Sequence, residues 1–378
     1  MKIGILTEII NYHSGARAPL EIAKHLARLH HEVTIYAYSY RQDFETRNDI
    51  IKSGVSIVTL NKLAIPFIGK YITAFSLFRI LKKFSPQVIA YAGTLPFFLS
   101  SKLTRIPIIL MYHGIQSDAY LEKKNPDEQI TIKDKLLNQI ANMYIYLVNG
   151  VLIYLSKEII AISKFAAKEV EHLYRKKVSS VIYLGTTSLL LEKQSTKEKN
   201  ASIAILSVSR ITPYKGFHLI IEAIKKIKNN RKIILTIVGS QPKISYLQYL
   251  KKIGKEIVQI VIDPSDKELS KIYQRSDIYV NADRYLYFGL PIIEAAQFGI
   301  PTVSLNFAAA NELIEHGKTG FVANNLDEFA YYLQKLIEDE GLRNKLGHNA
   351  LRLSKAFSWE KCAQEWEKIL SKNVIIDR

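Results

Sequence analysis

Cysteine is almost absent from this chain of 378 residues, which has only Cys362. A single thiol excludes a disulfide framework and a metal site built from several cysteines. This cysteine usage fits a reducing compartment, and we expect a cytoplasmic protein. The chain starts MKIGILTEII, which is typical of a strand and lacks a charged stretch followed by a long apolar core. We therefore expect no signal peptide.

Several motifs of cofactor enzymes are also missing. The sequence has no G-x-G-x-x-G, so it gives little support to a nicotinamide dinucleotide. It has no serine in a nucleophile elbow and no segment with the spacing of metal ligands. We therefore expect neither a metal ion nor another cofactor.

Acidic residues are in the minority, with 35 Asp and Glu against 52 Lys and Arg, which gives a net charge of +17. Such an excess favours an anionic partner: nucleic acid, an acidic membrane surface or a phosphorylated ligand. A solvated, lysine-rich surface explains it equally well. We find neither a helix suited to reading DNA nor basic residues interleaved with aromatics, so we expect no nucleic acid partner.

Long apolar runs are scarce. A helical run is predicted at about 131–156, and its apolar part, 140–155, is interrupted by Asn142 and Asn149. Because a membrane span needs about 20 apolar residues, we interpret this run as a buried or interfacial helix. The segment 64–84 mixes aromatic and basic residues. It fits a helix lying on an anionic bilayer and also an ordinary amphipathic helix packed on a sheet.

Short β-branched runs alternate with helical runs along the whole chain, and 48% of the residues are apolar. This alternation predicts the α/β class, with doubly wound parallel sheets covered by helices. The length suits two domains of about 180 residues each. We predict Rossmann-like domains over 1–188 and 189–357, and a C-terminal helix over 358–378 that can cross back to the N-terminal domain. Ligands in such folds lie beyond the carboxyl ends of the strands, and a cleft between two domains is the natural site.

The stretch SVSRITPYKGFHLIIEAI begins with an apolar strand that ends at Ser209. Arg210 and Lys215 flank the following loop, and Gly216 leads into a helix. Two cations beside a helix N-terminus suit a diphosphate, since the helix dipole adds to their attraction. The alternative is a basic loop with solvated side chains.

The block NADRYLYFGLPIIEAAQFGIPTV contains a Phe-Gly-Leu-Pro turn before an apolar helix. Gly289 allows backbone to approach a ligand closely, and the N–H groups of Gly289 and Leu290 can point at an anion. One helical turn further on, Glu294 can accept hydrogen bonds from a ribose diol. It can equally be an acidic residue that complements the helix dipole.

Two segments of the first half complete the set. Ser14 and Gly15 lie in a loop after the first strand, where a backbone N–H can meet phosphate. His113 directly follows a buried strand, and this position favours a side chain that faces a ligand. A structural histidine with its hydrogen bonds satisfied is the alternative.

Taken together and in this order, these segments resemble the family 4 retaining glycosyltransferases of the GT-B fold. The resemblance is strongest over 203–325, in VSRITPYKGFHLIIEA, TIVGS, FGLPIIEAAQFGIPTV and NELIEHGKTGFV. It implies two Rossmann-like domains facing across a cleft. The C-terminal domain would bind a nucleotide-diphosphate sugar of the UDP or GDP type, and the N-terminal domain would bind the acceptor.

The resemblance also implies roles for individual residues. Arg210 and Lys215 would hold the diphosphate and stabilise the leaving nucleotide in place of a metal. Glu294 would contact the ribose, and His113 would contact the donor sugar near the reacting centre. The further donor contacts that it implies are Ser14, Gly15, Gly239, Phe288, Gly289 and Leu290.

The sequence departs from the family pattern at one acidic position. The family has two glutamates separated by seven residues, and the first of them is replaced here by Leu286, followed by Tyr287 where glycine is usual. Asp283 is the nearest upstream acid and could substitute only if the loop is rearranged. Two interpretations stay open: a transferase for a hexose or deoxy sugar with an altered donor pocket, and a nucleotide-sugar-binding protein with impaired catalysis. The acceptor can be lipid-linked, a glycan or a protein, and the membrane inner face is a candidate location.

Overall fold

The computed structural model describes residues 1–12, 17–38, 44–60, 69–93, 95–115, 124–186, 202–228, 231–240 and 242–374. It divides into two compact units. The first unit comprises Met1–Ile115, Tyr144–Gly185 and Ser358–Arg378, and the second comprises Gln116–Met143 and Thr186–Phe357.

The first unit is built on a parallel sheet of seven strands within its described part, in the order β3-β2-β1-β4-β5-β6-β7. These strands are β1 Lys2–Thr7, β2 Glu32–Tyr38, β3 Ser56–Leu60, β4 Val88–Ala92, β5 Ile108–Tyr112, β6 Glu158–Ala161 and β7 Ser180–Val181. In β5 every side chain is buried, which explains its unbroken apolar sequence IILMY.

The helices of this unit connect the strands, except for one at the C-terminus. They are α1 Arg17–Arg28, α2 Phe44–Lys52, α3 Gly69–Phe84, α4 Leu95–Lys102, α6 Lys164–Tyr174 and α14 Trp359–Lys372. A further helix, α5 Ile132–Leu155, begins in the second unit and ends in the first. The C-terminal helix α14 begins at the cap Ser358 and packs against α1. It buries Trp366, and its Glu367 pairs with His31 at 2.7 Å. The last helix of the chain therefore belongs to the first unit.

Helix α5 has the bounds predicted from the sequence, about 131–156. Its burial was predicted in two ways, as a buried helix or as an interfacial helix. It is the one helix of the described residues that is long and apolar enough to cross a membrane, judged by length and composition alone. Only 17% of its most apolar 18-residue stretch is buried. The prediction of a buried helix is therefore wrong, and the interfacial helix stays a prediction.

The second unit contains a parallel six-stranded sheet, in the order β10-β9-β8-β11-β12-β13. Its strands are β8 Ser202–Val208, β9 Lys232–Gly239, β10 Val258–Ile262, β11 Ile278–Asn281, β12 Thr302–Leu305 and β13 Gly320–Ala323. Its helices are α7 Phe217–Lys226, α8 Ile244–Gly254, α9 Asp266–Arg275, α10 Leu290–Gln297, α11 Ala310–Leu313, α12 Leu326–Glu338 and α13 Glu340–Ser354. The aliphatic side chains of the central strands form the core, with Ile205, Ile237 and Val280 fully buried.

Candidate functional site

The candidate site of the second unit lies where β8 and β11 end. These two strands are parallel neighbours, with Ile278 opposite Ile205, so the loops that follow them leave the sheet at the same edge. Gly216, at φ 73°, closes the first of these loops. A Cβ atom at Gly216 would lie 2.4 Å from the carbonyl oxygen of Ala282 in the second loop. Only glycine permits this approach. It brings Lys215, which precedes Gly216, close to Asp283, which follows Ala282.

The two predicted cations converge in this region. The Nζ atom of Lys215 lies 5.1 Å from the ring centre of Tyr214, and the guanidinium of Arg210 lies 5.8 Å from the same ring. Both positions are within the range of cation–π attraction. Tyr214, which was not singled out in the sequence, therefore holds the two cations beside the N-terminus of α7.

The carboxylate of Asp283 forms an ion pair with Lys215, and both side chains are largely buried, with exposed fractions of 7% and 12%. The backbone N–H of Tyr285 donates to the same carboxylate at 2.9 Å. Asp283 thus lies at the predicted diphosphate cations. Its predicted contact with the donor sugar, in place of the missing glutamate, stays a prediction.

Thr212 is a second residue that sequence reasoning missed. It precedes the short 3-10 helix Pro213–Lys215, but its hydroxyl makes no capping bond. The Oγ1 atom is buried and has no hydrogen-bond partner among the residues that the structure describes. A buried hydroxyl without a partner is costly, so this atom points to a ligand contact. The one signal in the sequence was a polar side chain between the two cations.

The turn before α10 explains why residue 286 is a leucine. Gly289 has φ 100° and caps the helix. A Cβ atom there would lie 2.7 Å from Cδ1 of Leu286 and 3.2 Å from Cδ1 of Leu313. Leu286 is only 5% exposed, and its carbonyl accepts a hydrogen bond from the N–H of Ala309 at 3.0 Å. The leucine therefore packs beneath the glycine turn and supports it.

The remaining acid of the motif is held by a tyrosine. Glu294 is buried within α10, and its Oε2 atom accepts a hydrogen bond from the hydroxyl of Tyr273 at 2.9 Å. Tyr273 is stacked on Phe298, with ring centres 5.3 Å apart. No sequence pattern points to this tyrosine, because α9, which contains it, lies outside the motif. Its hydrogen bond fixes the orientation of the carboxylate.

Two of the predicted donor contacts have a structural explanation in this unit. Gly239 ends β9, and a Cβ atom there would lie only 1.9 Å from the carbonyl oxygen of Ser209, so the loop leading to Arg210 requires glycine at this position. The ring of Phe288 is buried against Phe357, with ring centres 5.9 Å apart. Ligand contacts by these two residues and by the backbone of Leu290 stay predictions.

The predicted site residues of the first unit are described in part. Ser14 and Gly15 lie outside the described residues. His113 directly follows β5, and its Nε2 atom is buried without a hydrogen-bond partner in the described part of the chain. Burial lowers the pKa of His113 to about 4, so the imidazole is neutral at neutral pH. The alternative prediction, a structural histidine with its hydrogen bonds satisfied, does not agree with the unpaired Nε2 atom.

In the described residues no group of three or more His, Cys, Asp or Glu side chains is arranged to hold a metal ion.

Family models match both halves of the chain. The model of Glycosyltransferase Family 4 matches residues 15–187, and that of Glycosyl transferases group 1 matches residues 191–352. The chain belongs to the family 4 glycosyltransferases. The family predicted from the sequence is thereby confirmed, and this glycosyltransferase has its candidate cations in the group 1 half.

Three similar proteins illustrate the relationship. An uncharacterized glycosyltransferase of Methanocaldococcus jannaschii is 26% identical over 280 residues, which are 73% of this chain and 71% of that protein. A glycosyltransferase structure from Rickettsia africae aligns with a TM-score of 0.75 at 20% identity, over 98% of both chains. Anabaena HepE in complex with UDP and glucose aligns with a TM-score of 0.75 at 17% identity, over 98% of this chain and 100% of that one. The GT-B fold is thereby confirmed.

Proposed function

We propose that this glycosyltransferase moves a hexose or deoxy sugar from a nucleotide-diphosphate sugar of the UDP or GDP type to an acceptor, in the cytoplasm, with retention and without a metal. One observation supports this most directly. Arg210 and Lys215 converge on Tyr214 at the start of α7, beside the buried hydroxyl of Thr212. Two cations and a helix N-terminus together suit a diphosphate.

The proposed chemistry follows from where charge develops. As the bond between the sugar and the diphosphate breaks, negative charge grows on the leaving oxygen. Arg210 and Lys215 stabilise this charge in the role that a metal ion has in other enzymes. The neutral imidazole of His113 hydrogen-bonds the donor sugar through its Nε2 atom. Glu294, held by Tyr273, accepts hydrogen bonds from the ribose.

The donor type is supported by a relative of the same fold. Anabaena HepE is described in complex with UDP and glucose. A UDP-sugar is therefore the first donor to test here, with GDP-sugars beside it. The acceptor can be lipid-linked, a glycan or a protein.

An alternative function is nucleotide-sugar binding with impaired catalysis. It is favoured by Leu286, which stands in the place of the first motif glutamate and is buried beneath the turn. A leucine cannot hydrogen-bond the donor sugar. The ion pair between Asp283 and Lys215 also reduces the positive charge available to the leaving group.

A donor screen with the full chain separates the two functions. Purified protein is incubated with common UDP- and GDP-sugars in the presence of EDTA, and hydrolysis or transfer is followed by mass spectrometry. NMR of the product then reports the anomeric configuration. Turnover in EDTA with retention supports the transferase. Nucleotide binding by calorimetry, without turnover of any donor, supports the impaired protein.

The site itself is tested by two variants. We expect Arg210→Ala and Lys215→Met each to weaken UDP binding at least about tenfold, since each removes a charge-assisted contact. Lys225→Met is the matched control, because it removes an exposed cation from the far end of the same helix. Equal affinity of all three variants and the wild type would place the diphosphate elsewhere.

A further inference from the structure

Helix α5 exposes a continuous apolar stripe. Ile132, Leu136, Ile140, Met143 and Leu147 recur every three or four residues, so they share one face of the helix. Their exposed fractions range from 51% at Ile140 to 87% at Ile132. Isolated exposed apolar residues are ordinary, but a row of five along one helix marks an interaction surface.

Two polar side chains lie on the inward side of the same helical segment. Asp134 and Asn138 are buried. Asp134 accepts hydrogen bonds from Thr131 and forms an ion pair with Lys124 at 3.1 Å. Buried polar groups together with an exposed apolar stripe depart from the usual arrangement of a surface helix, which is apolar inside and polar outside. The outward face is therefore suited to an apolar environment.

Strand pairing excludes a membrane-spanning helix here. Strands β5 and β6 precede and follow α5 in the chain, and they are hydrogen-bonded neighbours in one sheet, with Met111 opposite Ile160. A single crossing by α5 would place these strands on opposite sides of a membrane. The described residues between β5 and α5, 113–115 and 124–131, form no helix for a second crossing, which needs about 20 residues. If α5 contacts a membrane, it therefore lies parallel to the membrane plane.

Neighbouring helices of the first unit add basic and aromatic groups. The Lys102 Nζ atom of α4 donates to the carbonyl oxygen of Leu155 at 2.6 Å, and α4 packs against α3. In α3 the guanidinium of Arg79 lies 5.3 Å from the ring centre of the exposed Phe75. The exposed cations of α3, α4 and α5 include Arg79, Lys82, Lys83, Lys102, Lys133 and Lys135.

We infer that α5 docks on an anionic lipid bilayer, lying in the plane of the interface with its apolar stripe at the boundary of headgroups and acyl chains. Lys133 and Lys135 of α5 then lie at the headgroups, as do the exposed Tyr144 and Tyr154. A second copy of the chain is a poorer occupant, because the same cations would face one another across the interface. This docking does not depend on sugar transfer, and its test measures binding alone.

The test is sedimentation of the full chain with lipid vesicles. We expect binding to vesicles that contain phosphatidylglycerol, weaker binding to phosphatidylcholine alone, and loss of binding as salt is raised. The triple variant Leu136→Gln, Met143→Gln and Leu147→Gln should bind about a hundredfold more weakly, since each side chain contributes roughly a factor of five. Glutamine keeps the charge and the helix propensity unchanged.

The matched control is Ile244→Gln with Tyr331→Gln, two exposed apolar side chains of the second unit. This variant should bind vesicles like the wild type, and circular dichroism should show both variants folded. Equal vesicle binding by the triple variant and the wild type would overturn the inference. So would a wild-type chain that ignores anionic vesicles, or one whose stripe causes self-association in solution without vesicle binding.

Discussion

Replacement of Asp283 by asparagine tests the central feature of the donor site. Asp283 forms an ion pair with Lys215. In the proposed site, this carboxylate would compete with the donor's diphosphate for the same ammonium group. Two unit charges about 4 Å apart at an effective dielectric constant of about 20 attract by roughly 4 kcal/mol. A third of this energy is enough for a tenfold change in affinity. We therefore expect Asp283→Asn to bind UDP or GDP about tenfold more tightly.

The same substitution should reduce the stability of the ligand-free protein. The pair is largely buried, and removing one partner leaves the lysine charge uncompensated. Such losses amount to about 3 kcal/mol in the free energy of unfolding. Saturating nucleotide should restore much of this loss, because it supplies the missing negative charge and binds only the folded state.

Calorimetry with UDP and GDP measures the affinity, and urea unfolding with and without nucleotide measures the stability. Lys215→Met and the double variant complete a thermodynamic cycle for the pair. Glu256→Gln, an exposed acid of the same unit, controls for net charge. Weaker nucleotide binding by a folded Asp283→Asn protein would refute the competition. It would mean that the carboxylate positions Lys215 for the ligand.

Three further substitutions have defined outcomes. Leu286→Glu should lower the free energy of unfolding in urea by roughly 3 kcal/mol without raising turnover, because it buries a carboxylate beneath the turn; a stable and more active variant would contradict this. Tyr273→Phe removes the hydrogen bond to Glu294 and should weaken UDP binding about fivefold by calorimetry; unchanged affinity would separate this glutamate from the ribose. Burial lowers the pKa of His113 from about 6.5 in the unfolded chain to about 4 in the folded one. Between these values the unfolded chain binds more protons, so the free energy of unfolding falls as the pH drops from about 6.5 to about 4, by at most about 3 kcal/mol. His113→Gln should reduce this slope in urea unfolding at several pH values, and an unchanged slope would show that other groups cause it.

The family and the order of the elements could be predicted from the sequence, because they depend on local patterns. Parallel strands buried on both faces require unbroken apolar runs such as IILMY, and crossover helices need apolar spacing of three and four residues. The bounds of α5 were predicted for the same reason. Its surroundings were not, because hydropathy does not show which way a helix face points. The burial of Asp134 and the exposure of Leu136 could not be predicted from their positions in the sequence.

The fold, the family and the two candidate cations of the loop after β8 could be predicted from the sequence alone, since each depends on residues close together in the chain. The partners of these cations and of Glu294 became visible only in the folded chain. Asp283 is 68 residues from Lys215, and Tyr273 is 21 residues from Glu294, yet each pair is in hydrogen-bonding contact. Such partners depend on which loops meet at one edge of a sheet. The same applies to Leu286, whose packing under Gly289 makes this residue part of the turn's support.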